Sequence, residues 1–277
     1  MTVLRSHRSG LEVLRVDNGE AAFEVCPARG ALVTSWSTQG REQLFLDAST
    51  FADFSKNVRG GIPVLFPIAG PALSEGASLK QHGFARTSPW AEGSEGDGVV
   101  ALRLTSSQAT LAQFPHEFEL IYRLGLDGAT LRLEWSVRNT GASPMPLQLG
   151  LHPYFQVPLA DKAGARVDVP TTPSRGWNNR TLAFEPVSAS PAFDGPELDV
   201  HLLEMREPGT VLRTAHSTVE LRWSPTFQAL VMWTLPGQPF ICVEPWSSPT
   251  ALARGDEPLP LLAPRAVASF WLALSAY

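Results

Sequence analysis

Lysine is nearly missing from this chain of 277 residues: Lys56, Lys80 and Lys162 are all there is, so arginine carries almost all of the positive charge. Acidic residues outnumber basic ones, 27 to 22, for a formal net charge of -5. That balance gives no general attraction for a phosphate backbone or an acidic lipid surface, so neither nucleic acid nor membrane is expected as a partner. Cysteine is as scarce. Cys26 and Cys242 lie far apart without the paired spacing of a zinc site, and both read as buried free thiols outside any redox chemistry. Long apolar runs are missing too. No stretch reaches the roughly eighteen residues of a membrane span. The N-terminal MTVLRSHRSG leads into nothing of signal-peptide length, and the expectation is a soluble, cytoplasmic protein.

Helical signals are equally thin. The 24 prolines are close to twice the usual share, and their recurrence leaves no uninterrupted amphipathic segment of three turns. What the chain has instead is alternation of period two. In FELIYRLGLDGATLRLEWSVRN, Leu131, Leu133, Trp135 and Val137 fall on one face, while Arg132, Glu134, Ser136 and Arg138 fall on the other. Asp127-Gly128 between the two halves favours a tight hairpin turn, and Asn18-Gly19 does the same between Leu11–Val16 and Ala21–Val25. Further strands are expected at Val99–Leu104, Val219–Trp223, Leu230–Leu235, Ile241–Glu244 and Ala268–Leu274. Residues 160–196 read as long loops. One all-β domain spanning residues 1–277, an antiparallel sandwich, is the architecture these patterns predict.

Two stretches fit neither strand nor ordinary loop: RGGIPVLFPIAGP, from Arg59 to Pro71, and KQHGFARTSPW, from Lys80 to Trp90. The first has too much glycine and proline for a regular element and too little polarity for a solvated one. The second sets His82 and Arg86 among small and aromatic residues. Elsewhere His152 sits in GLHPYF, Asp199 in PELDVHLLE, and Glu244 closes the apolar run from Phe240 to Val243 in CVEPW. A carboxylate at the end of a buried strand is costly unless paired or used. Glu244 is therefore either a functional group or an ordinary strand-end acid facing water.

In their order and separations, RGGIPVLFPIAGP, HGFARTSPW, GLHPYF and CVEPW resemble the aldose 1-epimerase (mutarotase) superfamily, above all its hexose-6-phosphate mutarotase branch. The resemblance covers about Arg59 to Trp246. It implies a galactose mutarotase-like β-sandwich with a sugar in an open cleft on one curved sheet, Glu244 as general base, His152 as general acid and His82 as a second hydrogen-bonding or acid group. Asp199 matches the family's substrate-binding aspartate over a shorter motif. The Gly/Pro-rich stretch would then form the floor and edge of the cleft, with Gly60-Gly61 letting backbone approach the ligand.

These residue types suit ring opening. One group removes the proton from the C1 hydroxyl while another protonates the ring oxygen, and closure on the other carbonyl face reverses both transfers. Histidine, with an ordinary pKa near 6.5, suits the acid role, and a carboxylate raised toward neutrality suits the base. No cofactor is required. A metal site of His82, His152 and Asp199 is the alternative, though no His-x-His or His-x-x-x-His spacing supports it. His116 and His201 read as surface or structural.

Substrate choice rests on arginine. Arg59 and Arg86, with Lys80 as a possible third, offer the forked donors a phosphate dianion favours, although Arg86 is as readily explained by pairing with a neighbouring acid. Phe84, Trp90, Trp177 and Trp246 are candidate flat faces for a pyranose. The rival from another class is a non-catalytic carbohydrate-binding or sensing protein on the same fold. Sequence carries no signal for oligomeric state.

Overall fold

Alternation along the chain is converted directly into buried and exposed faces. The structure, a computed structural model, describes residues 1–71, 79–93, 96–168, 176–186, 188, 191–203, 205, 207–248 and 259–277. In strand Thr130–Asn139 the residues Leu131, Leu133, Trp135 and Val137 are buried, whereas Arg132, Glu134 and Arg138 are exposed. It pairs with Phe118–Asp127 through the Asp127-Gly128 turn, where Gly128 takes φ 55°. Leu11–Asp17 and Ala21–Cys26 form the other hairpin, with Gly19 at φ 87° and the Asn18 side chain accepting from the amides of Glu20 and Ala21.

Strands gather into three principal antiparallel sheets. An N-terminal meander runs Val3–Arg8, Leu11–Asp17, Ala21–Cys26, Leu32–Thr38, Arg41–Glu42. A second sheet runs in the spatial order Arg166–Asp168, Gly209–Arg213, Thr218–Trp223, Val267–Ala276, Thr130–Asn139, Phe118–Asp127, Val100–Thr105, Ala91–Glu92. The third runs Ala183–Glu185, Gly176–Asn178, Leu198–Leu202, Ala229–Thr234, Phe240–Trp246, Gly150–Leu151, Val64–Leu65, and Tyr154–Gln156 also pairs with Phe240–Trp246. Helix is confined, among the described residues, to Ala48–Ala52 and Gln108–Leu111 and three 3-10 segments. Among the described residues no helix is long and apolar enough to cross a membrane.

The two large sheets and the meander share one apolar cluster, to which the third sheet contributes Val200, Leu202, Leu230, Met232, Ile241 and Val243. Because side chains alternate, the opposite face of that sheet carries Asp199, His201, Val231, Trp233, Phe240, Cys242, Glu244 and Trp246. The reading of residues 160–196 as loops is corrected in part. Arg166–Asp168 pairs with Gly209–Arg213, and Gly176–Asn178 and Ala183–Glu185 extend the third sheet. These strands are three residues each, too short for a period-two signal to emerge. Residues 169–175 of that stretch lie outside the described residues.

Candidate active site

Strand Phe240–Trp246 sets the centre of the site. Glu244 is only 1% exposed, so it is not a strand-end acid facing water. Its Oε1 lies 3.3 Å from His152 Nε2, and its Oε2 accepts from Trp246 Nε1–H at 3.3 Å. Burial, reinforced by nearby Asp199, pushes the Glu244 carboxyl well above its usual range. His152 arrives from the chain between Gly150–Leu151 and Tyr154–Gln156. Its amide donates to Pro63 O, and its ring stacks on Tyr154 with centroids 4.6 Å apart. Burial, helped by His82 and Arg86, pushes His152 well below the ordinary histidine value. The two shifts oppose each other across one short contact.

His82 stands edge-on to this pair, its ring 5.7 Å from that of His152 and 6.0 Å from that of Trp246. Its backbone is left-handed at φ 67°. Nδ1 is hydrogen-bonded to the carbonyl of Ala69. A carbonyl can only accept, so Nδ1 carries the hydrogen and Nε2 presents a lone pair. Burial, with Arg86 second, lowers the His82 pKa to about 3, so the ring is neutral at physiological pH. Gln148 fixes the segment on which this depends: its Oε1 accepts from Ala69 N at 2.8 Å and its Nε2 donates to Ser248 O at 2.6 Å.

On the next strands of the same face, Asp199 accepts from Asn179 Nδ2 at 3.1 Å and lies 3.0 Å from His201 Nε2. Read from sequence as surface or structural, His201 is buried, 1% exposed, with its ring 5.5 Å from that of Trp246. The signal was available: two residues from Asp199 in a strand means the same face. Tyr154, Trp233 and Asn179 were also missed, the first inside a motif already singled out. Trp233 faces His152 edge-on at 5.6 Å.

Arg86 is half-buried, donates to Gln81 O at 3.2 Å, and keeps a buried Nε without a partner among the described residues. Arg59 is exposed. Burial, with Cys242 and Glu244 beside it, pushes the Tyr154 phenol well above its usual value, and Arg86 and Arg59 oppose the rise. Arg86 acts on Glu244 as well.

Other expected contacts are not assembled. Phe84 packs against Phe66, Phe114 and Phe118 in the core, because the turn at His82-Gly83 sends consecutive side chains to opposite sides. Trp90 is also core, with Nε1 donating to Ala85 O. Lys80 is exposed and lines, with Arg86, a groove of about 800 Å³ that none of Glu244, His152 and Asp199 touches. Trp246 and Trp177 do lie on the cleft sheet; Trp177 Nε1 donates to Asn179 Oδ1 at 3.0 Å. Gly60-Gly61 serves a different close approach from the one expected. A Cβ at Gly60 would meet Leu46 Cα at 2.5 Å and one at Gly61 would meet Val33 O at 2.3 Å, so these glycines admit the protein's own backbone. His82 and Asp199 do not join His152 as metal donors. Among the described residues the one such trio is His152, Cys242 and Glu244.

The fold is of the galactose mutarotase-like class. A galactose mutarotase-like protein from Lactobacillus casei superposes with a TM-score of 0.79 at 21% identity, over 96% of this chain and 100% of that one. The Slr1438 protein of Synechocystis does so at 0.88 and 33% identity over 95% of both chains. Residues 12–275 match the aldose 1-epimerase family, and the chain belongs to it. A Salmonella typhimurium protein provisionally named a glucose-6-phosphate 1-epimerase is 34% identical over 160 residues, 55% of this chain and 51% of the relative. The match thus spans about half the length of that curated relative.

Proposed function

We propose that the protein interconverts the α and β anomers of a hexose 6-phosphate by general acid–base ring opening, with Glu244 and His152 as the proton-transferring pair. The observation that supports this best is the 3.3 Å contact between Glu244 Oε1 and His152 Nε2, with His82 edge-on to His152 and Asp199 on the same sheet face. Opening starts with the proton on His152 and the carboxylate bare: Glu244 takes the C1 hydroxyl proton as His152 protonates the ring oxygen. It ends with the proton on Glu244. Closure after rotation about C1–C2 runs the transfers backwards, so the pair holds one proton at the start and at the end. Direct contact lets the proton move between the two groups before sugar binds. His82 Nε2 accepts a hydroxyl hydrogen, Asp199 accepts from another, and Trp246 offers an apolar edge. Arg86 and Arg59 supply forked donors to the phosphate, supported by their shared reach to Tyr154 and by the unpartnered Arg86 Nε.

Anomer exchange measured by NMR on glucose and glucose 6-phosphate tests this. The wild type is expected to speed exchange, most strongly on the phosphate ester, and Glu244→Gln to slow it by about 10²–10⁴-fold with the fold retained. Arg59→Ala should lose rate on the ester and keep it on the free sugar. Full rate in Glu244→Gln excludes it as the base; absence of exchange on any sugar of a small panel favours a non-catalytic sugar-binding protein.

A further inference from the structure

Cys242 is a buried thiol on the sheet face that carries Glu244, and ring opening has no use for it. It is two residues before Glu244 on the same strand, so both point to the cleft face, and it is 0% exposed. Tyr154, its register partner on the neighbouring strand, stacks on the His152 ring and holds it in place. As a result a thiol, an imidazole and a carboxylate, all buried, bring one ligand atom each to within 4.8 Å of one another. Donors of a tetrahedral zinc ion stand roughly 3.3–3.8 Å apart, as bond lengths of about 2.0–2.3 Å require. The His152–Glu244 contact is already at 3.3 Å, and every donor pair of the trio lies within 4.8 Å. His152 also has a buried Nδ1 without a partner among the described residues, so its ring is not committed to another acceptor.

From this geometry we propose that His152, Cys242 and Glu244 form a binding site for a divalent thiophilic cation of the Zn²⁺ class, and that occupancy shuts off the proton relay. Three protein ligands with mixed N, S and O donors leave a fourth position toward the cleft, where water or a sugar hydroxyl completes the tetrahedron. Binding converts the Cys242 thiol to thiolate and displaces the proton shared by Glu244 and His152. The cation takes the place of the proton that the pair must exchange with substrate, so inhibition follows from the proposed mechanism, whereas binding itself does not depend on it.

Co²⁺, a spectroscopically visible substitute for Zn²⁺, provides the test. Added to the full chain it should produce a near-ultraviolet thiolate-to-cobalt charge-transfer band that Zn²⁺ displaces and EDTA abolishes. With only two cysteines in the chain the assignment is direct: Cys26→Ser keeps the band and Cys242→Ser loses it. Cys242→Ser should keep its exchange rate without metal and need at least tenfold more Zn²⁺ for half inhibition. Glu244→Gln, which preserves the thiol and the shape of the site, should weaken Co²⁺ binding at least tenfold and covers the case in which Cys242→Ser fails to fold. No band in folded wild type, a band surviving in Cys242→Ser, or unweakened binding in Glu244→Gln overturns the site. A band in a chain inactive on every sugar would sustain the site and sink the proposed activity; activity without a band would do the reverse.

Discussion

At the scale of the residue, the pairing of Glu244 with His152 makes an argument about pH. The carboxyl is held well above its usual range and the imidazole well below its own, both chiefly by burial. Going down in pH, activity is lost when the pair gains a second proton, and that uptake is postponed below the ordinary histidine range. Going up, activity is lost when the pair gives up its only proton, and the raised Glu244 postpones that beyond the ordinary carboxylate range. His82, lowered to about 3, does not titrate near neutrality either. Exchange of a free hexose, corrected for the uncatalysed rate, should therefore run flat through about pH 6.5, the usual histidine value. A free sugar is the right probe, since a phosphate ester has its own second ionisation near about 6. A clear inflection at the histidine value would mean that His152 titrates alone. Glu244, His152, His82 and Asp199 were readable because chemistry-bearing residues stood in settings that packing does not explain. Phe84 was misread because an aromatic beside a functional histidine gives no sign of which side the backbone turns it to.

Strands and turns decide whether those residues meet. His82 faces the pair only because His82 and Gly83 are both left-handed, and Gly83 has no room for a side chain. A Cβ there would sit 2.1 Å from Phe66 O, a backbone atom that accepts from Phe84 and Ala85. Gly40 has a similar positive φ, 74°, with nothing within 4 Å of an added Cβ. Gly40→Ala should cost only the conformational preference, about 1–2 kcal/mol. Gly83→Ala should cost more, about 3 kcal/mol or above, and lower exchange as well by moving His82. Denaturant midpoints and rates for the two variants check this. Equal losses, or a Gly83→Ala protein with full rate, would show that the turn does not hold His82. Hairpins at Asn18-Gly19 and Asp127-Gly128 were legible because turn type and alternation agree locally. Val64–Leu65 was not, since its two residues become a strand only by pairing with Gly150–Leu151, and no local signal encodes that partner.

Across the whole molecule, most of what sequence left open concerns which distant segments pair. Thr130–Asn139 pairs with its hairpin neighbour on one side and with Val267–Ala276 on the other, and Val64–Leu65 lies one strand from Phe240–Trp246. Long-range pairings of this kind close large loops whose entropic cost is recovered only when the shared core forms. The core cluster draws on the N-terminal meander through Leu14, Phe23 and Trp36, on the cleft sheet through Met232 and Val243, and on the final strand through Leu274 and Ala276. None of these layers buries its inner face without the others. We therefore read residues 1–277 as one folding unit, although chains of this length often populate intermediates. Buried tryptophans make the reading testable. Trp36 belongs to the meander, while Trp135 and Trp223 belong to a large sheet. Equilibrium denaturation followed by tryptophan fluorescence and by far-ultraviolet circular dichroism should give coincident midpoints. Trp36→Phe should change the fluorescence amplitude without separating the curves. A transition at lower denaturant that disappears in Trp36→Phe would mean that the meander opens on its own and that the cleft sheet does not need it to stay folded.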